Sequence, residues 1–115
     1  MLPKINRLKK KKDFERVFKK GKGHKEGFLV FRAGKNLFKD SRFGFVVGKN
    51  VSKKANIRNK IKRRLRELVR RKIKEIKGGT DGVFIARPGL EKKDFQELED
   101  AVDKIFKKLD FFKKT

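Results

Sequence analysis

The stretch SKKANIRNKIKRRLRELVRRKIKEIK, residues 52–77, decides how the rest of the chain is interpreted. Its apolar residues recur at intervals of three and four, which places them on one side of a helix. This apolar arc consists of Ile57, Ile61, Leu65, Leu68, Val69, Ile73 and Ile76. Positions 57–77 also hold eleven Lys or Arg residues, against which only Glu67 and Glu75 are acidic. The pattern predicts an amphipathic helix that packs on a core and presents a strongly basic surface.

The positive charge lies where it opposes helix formation. Five pairs of Lys or Arg stand four residues apart (58/62, 60/64, 62/66, 66/70 and 70/74), and at about 0.2–0.5 kcal/mol each they cost roughly 1–2.5 kcal/mol. Cations in the first turns also face the positive end of the helix dipole. A solvated basic face is the ordinary role of a charge run. The charge at the N-terminal end, beside unpaired N–H groups, instead favours phosphate binding.

The cations are expected to form two surfaces on this helix. At about 100° per residue, Arg58, Lys62 and Arg66 fall on one border of the apolar arc. The residues that point away from the core are Asn59, Arg63, Arg70 and Lys74. One basic surface should therefore lie beside the core and the other should face outward.

The composition of the whole chain indicates an anionic partner. The length of 115 residues predicts one domain, residues 1–115. The chain has 37 Lys or Arg and 14 Asp or Glu, and the resulting net charge of +23 predicts that it binds nucleic acid. The absence of cysteine excludes a disulfide framework and a thiolate metal site, so a reducing cytoplasm is the expected location. We find no pattern typical of a signal peptide or a membrane span.

The other elements predict an α+β fold. A first helix is expected within residues 10–22, with Asp13 as its cap and Gly21 as its end. Residues 27–34 and 41–51 are rich in Phe and Val and predict two antiparallel strands, which the intervening loop could divide into three. In the second strand Gly44 and Gly48 share a face, where they suit either the close approach of a helix or a ligand, or a bulge or strand end.

The C-terminal part of the chain completes this arrangement. Residues 82–86 predict a strand of about five residues between glycines. The last helix carries apolar residues at spacings of three and four, with Asp94 and Glu97 placed to form a capping box. The predicted architecture is a single-layer mixed sheet packed with helices, in the order α-β-β-(β)-α-β-α.

Several segments together resemble one protein family. RNKIKRRLRE, residues 58–67, preceded by VSKKAN, is similar to the arginine-rich signature helix of the protein subunit of bacterial ribonuclease P. Residues 7–22, 42–54 and 79–90 resemble that family's N-terminal helix, its central strand and the strand before its last helix, in the same order. The sequence departs from the family at Lys60, where arginine is usual, and in a shorter link at residues 55–57.

The resemblance implies a fold and a function. The fold would be like that of some ribosomal proteins, with an unusual left-handed βαβ crossover around the signature helix. The catalyst would be the ribonuclease P RNA, and the protein would be an accessory subunit of this tRNA-maturing hydrolase. It would bind that RNA and the 5′ leader of precursor tRNA, and would promote Mg²⁺-dependent removal of the leader. No cofactor held by the protein, no membrane and no protein partner are implied.

The resemblance also assigns roles to residues of this sequence. Positions that match the family's leader-binding cleft are Phe14, Phe18, Arg58, Asn59, Lys62 and Arg66. Positions expected to face the catalytic RNA are Lys53, Lys54, Lys60, Arg63 and Arg64. Considered without the family, Phe14 and Phe18 would be assigned to the core, since two Phe residues four apart on a helix usually pack inside. Both residues could bury one edge and offer the other to a nucleobase.

Three other classes of function compete with this interpretation. A stand-alone enzyme lacks support, because the sequence has one histidine, His24, expected in an exposed loop, no cysteine and no cluster of carboxylates for a metal. A ribosomal or other structural RNA-binding protein would share the charge, the size and the α+β layout. Only the signature helix and its flanking segments distinguish a ribonuclease P protein from such an RNA-binding protein. A membrane-surface protein is disfavoured by the strands and by the absence of Trp.

Overall fold

A computed structural model describes residues 2–113 of the chain. The three α-helices in this range are α1 (Lys11–Lys20), α2 (Ala55–Lys72) and α3 (Phe95–Lys108). The four strands are β1 (Lys22–Glu26), β2 (Leu29–Lys35), β3 (Arg42–Val46) and β4 (Thr80–Ala86). Two short 3-10 helices, Lys4–Asn6 and Leu90–Lys92, precede α1 and α3. The structure therefore confirms the predicted α+β architecture.

The strands form one mixed sheet in the order β1-β2-β4-β3. Strand β2 pairs antiparallel with both β1 and β4, whereas β3 pairs parallel with β4. The strands on either side of the 36–41 loop run in opposite directions, as predicted, but β4 lies between them and they do not form a hairpin. Helix α2 connects the parallel pair β3 and β4. The left-handed sense expected for this crossover stays a prediction.

The third strand lies before the two predicted ones, so the expectation of a loop around His24 was wrong. Residues Lys22–Glu26 form β1, in which His24 stands opposite Phe31 of β2. A two-residue turn joins the two strands, and its Gly27 has φ +59°. The segment KGHKE has almost no intrinsic strand signal. Strand β1 therefore depends on pairing with β2 rather than on the preferences of its own residues.

The sheet buries both of its faces. On one face the rings of Phe31, Phe43 and Phe84 contact one another and the ring of Phe106, which α3 contributes, and α2 and α3 cover this face. The apolar arc of α2 packs on this cluster, and Leu65, Leu68 and Val69 are fully buried, as the spacing predicts. On the other face α1 packs through Val17 against Leu8 and Val83. Strand β3, at an edge of the sheet, is therefore bordered by α2 on one side and by the N-terminal segment and α1 on the other.

The helix ends confirm one predicted cap and correct another. Asp94 accepts from the backbone N–H of Glu97 at 2.8 Å, and the Glu97 carboxylate accepts from the backbone N–H of Asp94, which completes the capping box of α3. Asp13 does not cap α1, because the helix begins two residues earlier with Lys10 at the N-cap position. The Asp13 carboxylate instead lies 3.6 Å from Arg42 of β3. Gly21 ends α1 as predicted.

None of the helices within residues 2–113 combines the length and the apolar character that a membrane span requires.

Candidate nucleic-acid interface

A cleft runs along the outer edge of β3, between the N-terminal segment with α1 and the side of α2. The backbone N–H of Leu8 donates to the carbonyl of Phe43 at 2.9 Å and fixes one wall against the strand. The cleft has a volume of about 250 Å³. Its lining residues combine cations with aromatic rings and comprise Arg7, Leu8, Lys9, Phe14, Phe43, Gly44, Phe45, Lys62 and Arg66. No carboxylate is among these lining residues.

Phe14 lies on the floor of this cleft because Gly44 has no side chain. The Phe14 ring covers the Gly44 backbone, with its Cε1 atom 2.5 Å from the position that a Cβ at residue 44 would take. A larger residue at position 44 would therefore displace the Phe14 ring. Phe14 is half-buried and still lines the cleft. Part of the Phe14 ring is thus packed in the interior, and the rest is accessible from the cleft. Gly44 permits the close approach of α1, which is one of the roles expected for this glycine.

The structure brings some of the predicted leader-binding residues together and leaves others apart. Lys62 and Arg66 line the cleft opposite Phe14. Phe18 is 40% exposed on α1, and Asn59 is exposed on α2, but neither lines this cleft. Arg58 lies one turn before Lys62 on the same border of the helix. Its Nη1 donates to the carbonyls of Ser52 at 3.0 Å and Lys53 at 2.9 Å, so the guanidinium also holds the loop before α2.

The predicted outward surface of α2 adjoins the cleft. Arg63 lines a second depression together with Leu2, Arg7, Arg66 and Glu67. Arg7 and Arg66 line both depressions, so Arg63 stands beside the leader-binding candidates rather than on an opposite face. The remaining cations predicted to face the catalytic RNA also lie at or near the surface: Lys53, Lys54 and Lys60 are exposed and Arg64 is half-buried.

The two halves of α2 differ in how their charges are compensated. The first turn contains no acid, and no side chain caps the N-terminus. Within residues 2–113, no carboxylate forms an ion pair with Arg58, Lys60, Lys62, Arg63, Arg64 or Arg66. The N-terminal half therefore presents cations that only an external anion can neutralise.

The C-terminal half of α2 is compensated from within the protein. The hydrogen bond from Arg70, together with that from Arg71, lowers the pKa of the Glu67 carboxyl to about 2. Burial lowers the pKa of Lys72, but the ion pairs with Asp103 at 2.8 Å and Glu99 at 3.4 Å outweigh it, and the pKa is raised. The latter contacts join α2 to α3, so this end of the helix is structural.

A buried carboxylate that the sequence did not single out fixes the walls of the cleft. Asp81, at the start of β4, is 0% exposed. It accepts from Arg42 Nε at 2.9 Å and Nη2 at 2.6 Å, from Asn36 Nδ2 at 2.8 Å, and from Arg16 of α1. The hydrogen bond to Asp81 raises the pKa of Arg42, against the opposing effect of burial. Helix α1, strand β3 and the 36–41 loop are thereby joined to one anion.

The described residues offer no site for a metal ion. Within residues 2–113 no three His, Cys, Asp or Glu side chains are grouped so that they could hold one. The sole histidine, His24, lies in β1, at the edge of the sheet opposite to β3. The Mg²⁺ implied by the resemblance therefore does not fit a site built from these side chains, and the chemistry that this surface supports is the binding of a polyanion.

Comparison with known proteins identifies the family of this chain. A family model described as ribonuclease P matches residues 2–110. The ribonuclease P protein component of Clostridium botulinum (strain 657) is 38% identical over 106 residues, which cover 91% of this chain and 95% of the relative. The corresponding component of Syntrophomonas wolfei is 37% identical over 112 residues, covering 97% of this chain and 93% of the relative.

Solved structures show the same fold at similar levels of identity. The RNase P protein of Thermotoga maritima is 35% identical, with a TM-score of 0.81 over 89% of this chain and 96% of that one. The RNase P protein of Staphylococcus aureus is 28% identical, with a TM-score of 0.86 over 94% of this chain and 98% of that one. The chain therefore belongs to the ribonuclease P protein family, the protein components of the bacterial enzyme that matures tRNA 5′ ends.

Proposed function

We propose that this chain, as one domain, binds the catalytic RNA of ribonuclease P and the 5′ leader of precursor tRNA, and so promotes Mg²⁺-dependent endonucleolytic removal of the leader. The observation that carries this proposal is the cleft at β3, where an accessible aromatic ring stands opposite two cations without carboxylate partners. Membership of the family argues against the alternative of a structural RNA-binding protein with no role in cleavage.

The leader suits the cleft because it is single-stranded. An unpaired base exposes its π-face, which can stack on Phe14, and stacking of this kind is worth about 1–3 kcal/mol per base. The neighbouring phosphates would be bound by Lys62, Arg66 and Arg7, whose charges displace counterions. These contacts read no particular base, which suits a protein that must accept leaders of many sequences. Asn59 and Phe18, which are exposed but do not line the cleft, would contact nucleotides outside it.

The catalytic RNA would contact the remaining cations of α2 and of the loop before it. Lys53, Lys54 and Lys60 are exposed, and Arg63 and Arg64 complete the set. In this proposal Mg²⁺ is held by RNA, and the cations of the protein contribute by lowering the repulsion between phosphates of substrate and catalyst. Because the catalytic-RNA surface adjoins the leader cleft along α2, the protein can hold substrate and catalyst side by side.

The experiment that tests the proposal is cleavage of a precursor tRNA at low Mg²⁺ by a bacterial ribonuclease P RNA, with and without the protein. We expect the protein to stimulate cleavage at the mature 5′ end and to cleave nothing when alone. Tight, salt-dependent binding to ribosomal RNA without stimulation of cleavage would contradict the proposal and support the structural alternative.

A further inference from the structure

The loop between β2 and β3 exposes large apolar side chains. Leu37 is 99% exposed and Phe38 is 58% exposed. Ile5, from the N-terminal 3-10 helix, is 62% exposed and lines the same depression as Phe38. Scattered apolar residues on a surface need no explanation, but a group of them beside a depression marks a contact site.

The outward position of these side chains is built into the loop. The Asn36 backbone N–H donates to the carbonyl of Gly79 at 2.9 Å, and its Nδ2 donates to buried Asp81 at 2.8 Å and to the carbonyl of Asp40 at 3.1 Å. The Asn36 Oδ1 in turn accepts from the backbone N–H of Phe38 at 2.8 Å. Since these bonds hold both ends of the loop, Leu37 and Phe38 are presented to solvent by a fixed backbone.

The surroundings of Phe38 are basic. The Arg42 guanidinium carbon lies 4.6 Å from the centre of the Phe38 ring, and Lys4 and Arg7 line the same depression. The adjoining depression is lined by four further lysines. These lysines are Lys39, Lys74, Lys77 and Lys113. The one carboxylate among the described residues that line these two depressions is that of Asp40, which lines both. An aromatic ring among cations fits a base together with its phosphates.

The loop continues the path of the cleft. Arg7 lines the cleft at β3, the depression at Arg63 and the depression at Phe38, so the three meet at one side chain. An RNA strand that leaves the cleft past Arg7 therefore reaches Phe38 directly. The carboxylates that line these depressions are Glu67, which is paired with Arg70 and Arg71, and Asp40. The carboxylates of α3, by contrast, adjoin β1 at the opposite edge of the sheet, where Glu97 and Asp100 lie near Glu26.

We propose that Phe38, with Leu37 and Ile5 beside it, is a second stacking platform for the precursor-tRNA leader, which takes nucleotides beyond those held in the cleft. This inference rests on the proposed function. A single strand is favoured over the catalytic RNA because the bases of a folded RNA are mostly paired and hidden, whereas a leader can turn each base onto a ring. A second copy of the protein is disfavoured by a net charge of +23 on each chain.

The test is a series of precursor tRNAs whose leaders lengthen one nucleotide at a time, bound to holoenzymes containing the wild-type protein or Phe38→Ala. We expect the wild-type affinity to rise with leader length in two stages. Phe38→Ala should keep the first stage and lose about five-fold or more of the second. Phe38→Trp should retain the second stage, whereas Phe38→Leu should lose it, because leucine has no π-face.

A matched control is Phe28→Ala. Phe28 is 42% exposed, and its ring also lies beside a cation, with Lys93 Nζ 5.2 Å from the ring centre, but its depression contains carboxylates of α3. This variant should bind every leader as the wild type does. Since Phe38 is exposed, Phe38→Ala should unfold at the wild-type temperature, which separates a binding loss from a folding loss.

Three outcomes would overturn the inference. An equal loss at all leader lengths together with weaker assembly would assign Phe38 to the catalytic RNA. Concentration-dependent dimers of the free protein that Phe38→Ala abolishes, with unchanged leader binding, would assign the patch to a second copy. A wild-type affinity that does not change with leader length would contradict the proposed function as well. Failure of the second platform alone can therefore be distinguished from failure of the proposed function.

Discussion

The ring of Phe14 occupies the space that a side chain at residue 44 would need, with Cε1 2.5 Å from the position of a Cβ on Gly44. Helix α1 can therefore rest a ring on the backbone of the edge strand β3. The ring becomes the floor of a cleft whose other wall is Lys62 and Arg66 of α2. A contact between one aromatic residue and one glycine thus connects the packing of the sheet with the site that we assign to RNA.

Gly44→Ala should displace Phe14 and damage both packing and binding. Overpacking of this kind costs about 1–3 kcal/mol of the free energy of unfolding, and the preference for precursor over mature tRNA should fall in binding assays. Gly34→Ala, also in a strand, is the control, because its Cβ would stand 3.8 Å from the nearest atom, in ordinary contact. Wild-type leader preference in a folded Gly44→Ala protein would show that Phe14 contributes nothing to the site.

Asp81→Asn should be strongly destabilising. The substitution removes the charge that Arg42 and Arg16 share at a site where Asp81 is 0% exposed, and leaves them only the more distant carboxylate of Asp13, 3.6 Å from Arg42 and 3.9 Å from Arg16. Loss of one member of a buried ion pair costs about 3–5 kcal/mol, which urea denaturation would measure. Asp100→Asn, which alters an exposed hydrogen bond from Gln96, should change the free energy of unfolding by less than about 0.5 kcal/mol. Similar stabilities for the two variants would contradict the anchoring role of Asp81.

Glu67 should make the stability of the folded protein depend on pH in the acid range. Its pKa is about 2 in the folded protein against an ordinary value of 4.5, mainly because Arg70 donates to the carboxylate. The unfolded chain therefore binds the proton more readily, so the stabilisation is fully present above about pH 4.5 and is lost as the pH falls towards 2. The melting temperature of Glu67→Gln should lie below that of the wild type at pH 6 and equal it near pH 2. A difference that is constant with pH would contradict this explanation.

Arg58 and Lys62 should differ although both border the apolar arc. Arg58 donates to the carbonyls of Ser52 and Lys53, so Arg58→Ala should loosen the loop that carries Lys53 and Lys54. We expect this variant to bind both the catalytic RNA and leader-bearing substrate more weakly. Lys62→Ala should affect only the substrate, and titrations at several salt concentrations should show a slope smaller by about one for that ligand. Identical profiles for the two variants would argue that Arg58 has no role in the loop.

Much of this architecture follows from the sequence because its periodic segments are unambiguous. The apolar arc of α2 and the capping box at Asp94 and Glu97 both lie where the spacing places them. Strand β1 could not be found in the same way, since residues such as Lys22 and His24 carry no strand signal and pair only because β2 is beside them. The position of β4 between β2 and β3 was likewise invisible, because local spacing does not specify which strands become neighbours.

The site was predictable in its chemistry and less so in its geometry. The helical wheel placed Lys62 and Arg66 on the border that the structure shows facing Phe14. It also placed Arg63 on a separate outward face, whereas the N-terminal segment folds across the edge of β3 and brings Arg7 between the two. Asp81 could not be recognised, because the sequence gives no indication that one isolated acid receives two arginines and an asparagine from distant segments.

The measurement that tests the central claim most directly compares two ligands on one holoenzyme. Affinities for a precursor tRNA with its leader and for the mature tRNA would be measured with wild-type protein, with Lys62→Ala in the cleft and with Lys108→Ala at the exposed end of α3 as the charge-matched control. We predict that Lys62→Ala weakens binding of the precursor several-fold, leaves the mature tRNA unchanged, and differs in this from Lys108→Ala. Equal losses on both tRNAs, or equal effects of the two substitutions, would contradict the assignment of the cleft to the leader.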